Sequence, residues 1–413
     1  MKELSKPSGN GDWDFVDTSP GYLVHGLHPY PAKMHPLIAK GLIQRFESRN
    51  MRIADPFCGS GTTLVESLLA GYDSFGVDLN PLACLISKAK TKILDRKELE
   101  RVQNWSRKRL SPNSLRNHYW KPPHVNRRFL QLWFKPRIIR DLLSLRNIVV
   151  RSELWDSRCK WLLASCISRT TRAVSNQRPF EFKSYRLPKD ELDHHNPDVS
   201  RTFQKYLGDM IDRQQKFFGC LPSKARNGRV SAEVIQADSR LSQLRSRIDL
   251  VVTSPPYGDS DTTVAYEQFS KLASYVLGEE LGWHPTSPSR SAGTLSVEFP
   301  KRRIFDRISS KVRKIDPVRA RVLNQYFDGL QRSVISISQL LRKNGIACIV
   351  MGPRTVCGVK VPTPTILQEF AEEQSLELIG SFSRQIRRKV LPRRNDTVTT
   401  INQEEILLFR RGR

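Results

Sequence analysis

Acidic residues are scarce in this 413-residue chain: 41 aspartates and glutamates stand against 68 lysines and arginines, giving a formal charge of +27 and a pI near 10.1. Such an excess implies a polyanionic partner, nucleic acid first, because the self-repulsion is relieved when basic side chains face phosphates. An uninterrupted apolar run of the roughly 18 residues needed for a spanning helix is missing, which excludes a membrane-crossing reading. Met1 to Phe15 also lacks the apolar stretch of a signal peptide, so a cytoplasmic, nucleoid-associated protein is expected. Seven cysteines are scattered without a Cys-x-x-Cys pair, which argues against a disulfide framework or a zinc ribbon. His25, His28 and His35 have no acidic or thiol ligand to complete a set in a proline-broken segment, so no metal is expected. There is no internal repeat and no low-complexity tract.

Two stretches carry chemistry. The apolar run Ile248 to Val252 stops abruptly in Thr253, Ser254, Pro255, Pro256 and Tyr257. A buried strand ending in this tip suits a flat base. The prolines fix two φ angles and leave carbonyls without competing local amides, Ser254 adds a hydroxyl, and Tyr257 adds a stacking face. Such acceptors suit an exocyclic amino group. Upstream, Ile53 to Thr63 leads a short strand through a glycine turn into a helix, and Gly59 and Gly61 allow backbone amides to approach a ligand closely. Asp78 ends the next apolar stretch, where an acid suits the two hydroxyls of a ribose. A glycine turn followed by an acid could serve NAD as well, but Leu64 stands where the third glycine of the dinucleotide fingerprint belongs.

Taken together, "DPFCGSGTT", "GVDLNP" and "TSPPY" resemble the cofactor and catalytic motifs of the amino-methylating DNA methyltransferases, with the N4-cytosine branch as the specific match. The resemblance implies S-adenosyl-L-methionine as cofactor. Asp55, Phe57, Gly59, Gly61 and Thr62 would hold its methionine part and Asp78 its ribose. Asp238, in "QADSR", would meet the adenine, and Lys33, in "HPYPAKMHP", would complete the methionine pocket. Ser254, Pro255, Pro256 and Tyr257 would be the catalytic set. Serine at 254 marks the cytosine N4 enzymes of the family, whereas the adenine enzymes mostly carry an acid or amide there. The resemblance covers roughly residues 20 to 95 and 230 to 413.

Strand and helix periodicities give a βαβα start, a mostly helical stretch, and five further strands, hence seven strands in all. The expected fold is α/β, a seven-stranded mixed-sheet Rossmann-like methyltransferase fold with a mostly helical basic insertion. Residues 1–20 read as a loose N-terminal segment, 21–95 as the cofactor half, 96–230 as the insertion and 231–413 as the catalytic half. Gly345 is expected to end the helix that contains Phe327 to Leu341. Between 101 and 230, 28 lysines and arginines face 10 acids, interleaved with Trp120, Trp133, Phe134, Trp155 and Trp161. The charge as a whole suits a nucleic-acid groove, whereas each tryptophan taken alone fits the small core of the insertion better. Basic loops at 283–307 and 384–403 add Arg387, Arg388, Arg393 and Arg394 as candidates for phosphate or guanine contacts.

The expected reaction is methyl transfer to N4 of a cytosine flipped out of double-stranded DNA, with Ser254 and the Pro255 carbonyl accepting the amino hydrogens. A cognate restriction endonuclease is a candidate partner. The rivals are an N6-adenine DNA methyltransferase, an RNA guanine N2 methyltransferase, which the glycine turn also resembles, and a DNA-binding protein that keeps the fold without catalysis.

Overall fold

The computed structural model describes residues 13–117, 127–155, 158–179, 181–240, 247–258, 266–278, 303–386 and 401–412. Its strands are β1 (Arg52–Asp55), β2 (Asp73–Asp78), β3 (Ala232–Gln236), β4 (Ile248–Thr253), β5 (Leu341–Met351), the small hairpin β6 (Arg354–Val356) and β7 (Val359–Val361), β8 (Leu376–Gln385) and β9 (Gln403–Arg411). Seven of them form one sheet in the order β3-β2-β1-β4-β5-β9-β8. The first five run parallel, while β9 is antiparallel to both β5 and β8. The expected mixed seven-stranded Rossmann-like sheet is therefore the fold of this chain. The chain reverses its direction of travel across the sheet between β1 and β4, the kind of switch point where open α/β sheets form a ligand crevice.

Helices α1 (Pro36–Arg45), α2 (Thr62–Ala70) and α3 (Pro81–Thr91) accompany the first strands. The stretch between β2 and β3 folds into α4 (Arg96–Arg109), α5 (Pro112–Asn117), α6 (Arg127–Trp133), α7 (Pro136–Val150), α8 (Lys160–Ala173), α9 (Lys189–His194), α10 (Val199–Cys220) and α11 (Ser223–Arg226). After β4 come α12 (Tyr266–Leu277), α13 (Arg303–Ile315) and α14 (Pro317–Leu340), and α15 (Thr363–Glu372) precedes β8. Several helices start by one device, a proline at the first helical position behind a capping side chain. His35 precedes Pro36, Asn80 precedes Pro81, and Asp316 precedes Pro317.

Alternation along the strands divides the interior. Ile53, Leu250, Val252, Cys348 and Val350 point to one face, where α1 and Trp13 cover them, while Ala54, Val251, Ala347 and Ile349 point to the other, under α13, α14 and α15. A third core joins α2, α3 and β3 to α12 and to the helices between β2 and β3. Phe203, Leu207, Met210, Ile211 and Phe217 make the inward stripe of α10, and Gln214 Nε2 donates to the Ala89 carbonyl at the end of α3 (2.7 Å). The inserted helices are thus packed into the methyltransferase-like half rather than standing beside it.

Three expectations need correction. Within the segment read as loose, Trp13 is fully buried against Phe382 and the α1 face of the sheet, where its indole joins the core cluster, whereas Asp17, Ser19 and Pro20 are exposed. Gly345 does not end a helix. α14 stops at Leu340, Asn344 takes the left-handed conformation (φ 61°), and Gly345 lies inside β5, where a Cβ would stand 3.2 Å from the Ile248 carbonyl. The ends of the two supposed basic loops are regular structure, since 303–307 begins α13 and Arg384 lies in β8. Trp120, Arg387, Arg388, Arg393 and Arg394 lie outside the described residues. Replacing Trp13 with alanine leaves a cavity at the sheet face and is expected to cost about 3–5 kcal/mol of stability, read as a lower midpoint in urea or heat.

Candidate active site

β1 and β4 lie side by side, with Ile53 opposite Leu250 and Ala54 opposite Val251, so the glycine turn after β1 and the Ser-Pro-Pro-Tyr tip after β4 emerge at one edge. Two side chains tie them. Thr253 Oγ1 donates to Asp55 Oδ1 (2.6 Å), and Thr63 Oγ1 at the start of α2 donates to the Val252 carbonyl (3.0 Å). Asp55 also accepts from the Phe57 amide (3.1 Å) and is buried, 3 % exposed. Burial pushes its carboxyl up to about 6, against the pull of those hydrogen bonds.

The turn is closed by the Gly61 amide on the Cys58 carbonyl (2.7 Å), and Gly59 (φ 48°) and Gly61 (φ 80°) occupy the left-handed region that favours glycine. A side chain at Gly61 would also collide with Ser87, whose Oγ donates to the Gly59 carbonyl (2.8 Å). Asp78, at the end of β2, accepts from the Gly59 amide (2.9 Å) and from the Asn80 amide (2.8 Å). It faces the turn across the edge of the sheet. Burial raises it to about 6, partly offset by these two amides. Asn80 then donates to Ser270 Oγ on α12 (2.8 Å) and to the Tyr30 hydroxyl (3.3 Å), which draws the segment 28–36 and α12 to the same edge. Tyr266 and Phe269 of α12 both pack on Tyr30, and Phe269 is a core residue.

Lys33 is half-buried and donates to the His25 carbonyl (3.2 Å); burial, with Arg213 nearby, lowers it to about 8. Lys90 of α3, which sequence reasoning missed, is fully buried and donates to Ser60 Oγ in the turn (3.2 Å). Among the described residues neither lysine is paired with a carboxylate. Lys90, lowered well below its ordinary value by burial and then by Lys33, and half-buried Lys33 stand beside a glycine turn with an acid facing it, an arrangement that fits an amino acid carboxylate on one side and a ribose on the other. Asp238 follows β3 at the same edge, but Arg240 clamps both its oxygens (Nε at 2.8 and 3.0 Å), and these bonds outweigh burial to hold its carboxyl below the ordinary range. Thr62 opens α2 and is buried, and Phe57 is half-buried in the turn.

At the tip, Ser254 Oγ donates to the Tyr257 hydroxyl (3.1 Å), which donates to Glu404 Oε1 on β9 (3.0 Å). Arg384 of β8 holds Glu404 Oε2 (3.2 Å). The Tyr326 hydroxyl of α14 occupies the Pro256 carbonyl (2.8 Å), and no hydrogen bond to the Pro255 carbonyl occurs among the described residues. Tyr326 and Glu404 gave no sequence signal, being 70 and 147 residues from the motif residues they touch, and Arg384 was legible only as one end of a basic stretch.

The histidines serve the scaffold. His25 and Tyr22 share Glu66 Oε1, His28 binds the Pro29 carbonyl and Ser168, and His35 caps α1. No cluster of three or more metal-ligating side chains occurs among the described residues. Cys58 is buried, and burial raises its thiol. The insertion's aromatics are core rather than groove: Trp133 and Phe134 are buried, and Trp155 and Trp161 pack on the same cluster. Many of its charges remain outside, with Arg107, Lys108, Arg109, Arg137 and Arg178 exposed, whereas Arg146 is buried.

Residues 4–89 match the N6/N4 methyltransferase family model described as DNA methylase. The chain is 29% identical over 424 residues to the type II methyltransferase M.MvaI of Kocuria varians, covering 95% of this chain and 91% of that protein. It is 22% identical over 472 residues to the type II methyltransferase M.MjaII of Methanocaldococcus jannaschii, covering 92% and 81%. Among solved structures, TrmN from Thermus thermophilus aligns with a TM-score of 0.31 at 10% identity, over 92% of this chain and 49% of that one.

The raised carboxyls have a consequence for stability. A carboxyl lifted by folding binds its proton more tightly in the native state, so its contribution is full below its ordinary value of 3.8 and is lost as pH rises through about 6. Asp78→Asn removes one such group. Thermal melts of the unliganded protein between about pH 4 and pH 7 are expected to show a smaller fall for the variant than for the wild type.

Proposed function

The chain belongs to the amino-methylating DNA methyltransferases of the N4/N6 group, and from that premise we propose that it methylates the exocyclic N4 of a cytosine flipped out of duplex DNA. S-adenosylmethionine, when bound, supplies a sulfonium methyl group. Lys33 and Lys90 would face its carboxylate, Asp55 and the turn at 57–62 would flank its methionine part, and Asp78 would take the ribose hydroxyls. Asp238 would act at the adenine, as its position after β3 allows, once the Arg240 clamp is accommodated.

The chemical difficulty is the lone pair of an aromatic amine, which is delocalised into the ring. Acceptors on both amino hydrogens favour a tetrahedral nitrogen whose lone pair can point at a methyl carbon, so fixed dipoles and orientation supply the help rather than a strong base. Ser254 Oγ and the Pro255 carbonyl are those acceptors. Tyr326 takes the neighbouring Pro256 carbonyl and so leaves the Pro255 carbonyl as the one to face the base. Tyr257 stacks against the base, and Pro256 fixes its approach. The nitrogen sheds a proton after the transfer has made it acidic.

The observation that supports the reading is the coupling of turn and tip through Thr253 and Asp55, which ties the two motif segments together at one edge of the sheet. Serine at 254 favours cytosine over adenine, and the exposed bases of the insertion suit the phosphates of a duplex with a base extruded. No helix among the described residues is long and apolar enough to cross a membrane. We read the enzyme as a type II modification methylase acting in the cytoplasm, with a restriction endonuclease of the same specificity as its expected partner.

Nucleoside mass spectrometry of DNA from expressing cells tests this. N4-methylcytosine is expected with the wild type and reduced about 100-fold or more with Ser254→Ala, the scale of losing a group aimed at the reacting centre. N6-methyladenine alone would refute the cytosine assignment, and methylated RNA alone the DNA assignment.

A further inference from the structure

Behind the tip, a hydrogen-bonded series runs from Ser254 through Tyr257 and Glu404 to Arg384, across the ends of β4, β9 and β8. Its direction is set at the far end. An ionised carboxylate only accepts, so the single proton of the Tyr257 hydroxyl is committed to Glu404 Oε1 (3.0 Å). The tyrosine oxygen can then only accept from its other neighbour, and the single proton of Ser254 is committed to it (3.1 Å). What Ser254 presents toward the edge of the sheet is its lone pairs. Arg384, 8% exposed, holds the second oxygen of Glu404 (3.2 Å), whose own side chain is 14% exposed; burial raises the Glu404 carboxyl, while the Arg384 charge and the Tyr257 hydrogen bond oppose that rise and favour the carboxylate. The Tyr257 hydroxyl stays protonated as well, because burial and then the Glu404 charge raise it far above its ordinary range.

We propose that Glu404, held by Arg384, is a positioning residue for the methyl transfer: through Tyr257 it fixes Ser254 Oγ as a hydrogen-bond acceptor toward the amino group of the target base. A serine without this constraint could turn its own proton toward the amino group, setting donor against donor. The inference rests on the reading of Ser254 as an amino-group acceptor and holds for cytosine and adenine alike.

A double-mutant cycle on the full chain tests it, with unmethylated phage DNA and radiolabelled S-adenosylmethionine in single turnover. Glu404→Gln and Tyr257→Phe are each expected to slow transfer about 10- to 100-fold, the range for a hydrogen bond to a charged group. S-adenosylmethionine affinity by calorimetry should stay within about twofold, and the double variant should be no slower than the slower single one. Wild-type rates in Glu404→Gln, or losses that multiply in the double variant, overturn the proposal. Should Glu404→Gln fail to fold, Tyr257→Phe keeps the Glu404–Arg384 pair, and a wild-type rate there overturns it equally. Ser254→Ala separates the two levels. If it transfers at the wild-type rate, the reading of Ser254 falls and the inference with it, whereas a slow Ser254→Ala beside a fast Glu404→Gln removes the inference alone.

Discussion

The hydrogen bond from Thr253 Oγ1 to the buried carboxylate of Asp55 joins the last residue of β4 to the last residue of β1. Neighbouring parallel strands already share an edge, but strand pairing alone leaves the loops beyond it free to diverge. This bond, with that from Thr63 to the Val252 carbonyl, makes the glycine turn and the Ser-Pro-Pro-Tyr tip one rigid piece. A group-transfer site needs this, since small misplacements of donor and acceptor cost large factors in rate. Burial raises the Asp55 carboxyl, and the hydrogen bonds from Thr253 and the Phe57 amide that tie the two segments together oppose that rise.

Around that piece the edge is built from elements remote in sequence. Asp78 steadies the turn through Gly59, Asn80 draws in Tyr30 and α12, Tyr326 of α14 takes the Pro256 carbonyl, and β8 and β9 contribute the Arg384–Glu404 pair. The inserted helices contribute differently. Trp133 and Phe134 go to a core shared with α2 and α3, with Trp155 and Trp161 packed against it, while bases such as Arg107, Lys108 and Arg137 stay on the surface. One segment therefore packs behind the glycine turn and gives the molecule most of its net positive charge, 18 of 27 over residues 101–230, where 28 bases face 10 acids.

Much of this was legible in the chain. β1 (Arg52–Asp55), α2 (Thr62–Ala70) and β4 (Ile248–Thr253) fall where the apolar runs, glycines and prolines put them, because each is bounded by residues whose backbone chemistry stops a strand or starts a helix. Other boundaries were not. Gly345 suggested a helix end, yet packing against β4 drew the chain into β5, and the β8–β9 pair runs further than its apolar cores because cross-strand pairing, rather than hydrophobicity, extends it. The interleaved tryptophans left core and stacking groove both open, and among the described residues Trp133 goes to the core while Trp155 and Trp161 pack against it.

What the sequence determined by itself is therefore local: the motifs, the strand ends on which they sit, the order of α/β elements and the sign of the charge, all of which depend on residues close together in the chain. Tertiary structure alone decided which side chains stand behind those motifs. Lys90 beside Ser60, and Glu404 and Arg384 behind Ser254, are ordinary charged residues in sequence and acquire their meaning from burial. Glu404 and Arg384 answer each other's charge out of water, Lys90 meets only the Ser60 hydroxyl among the described residues, and only the folded chain fixes which partner each has.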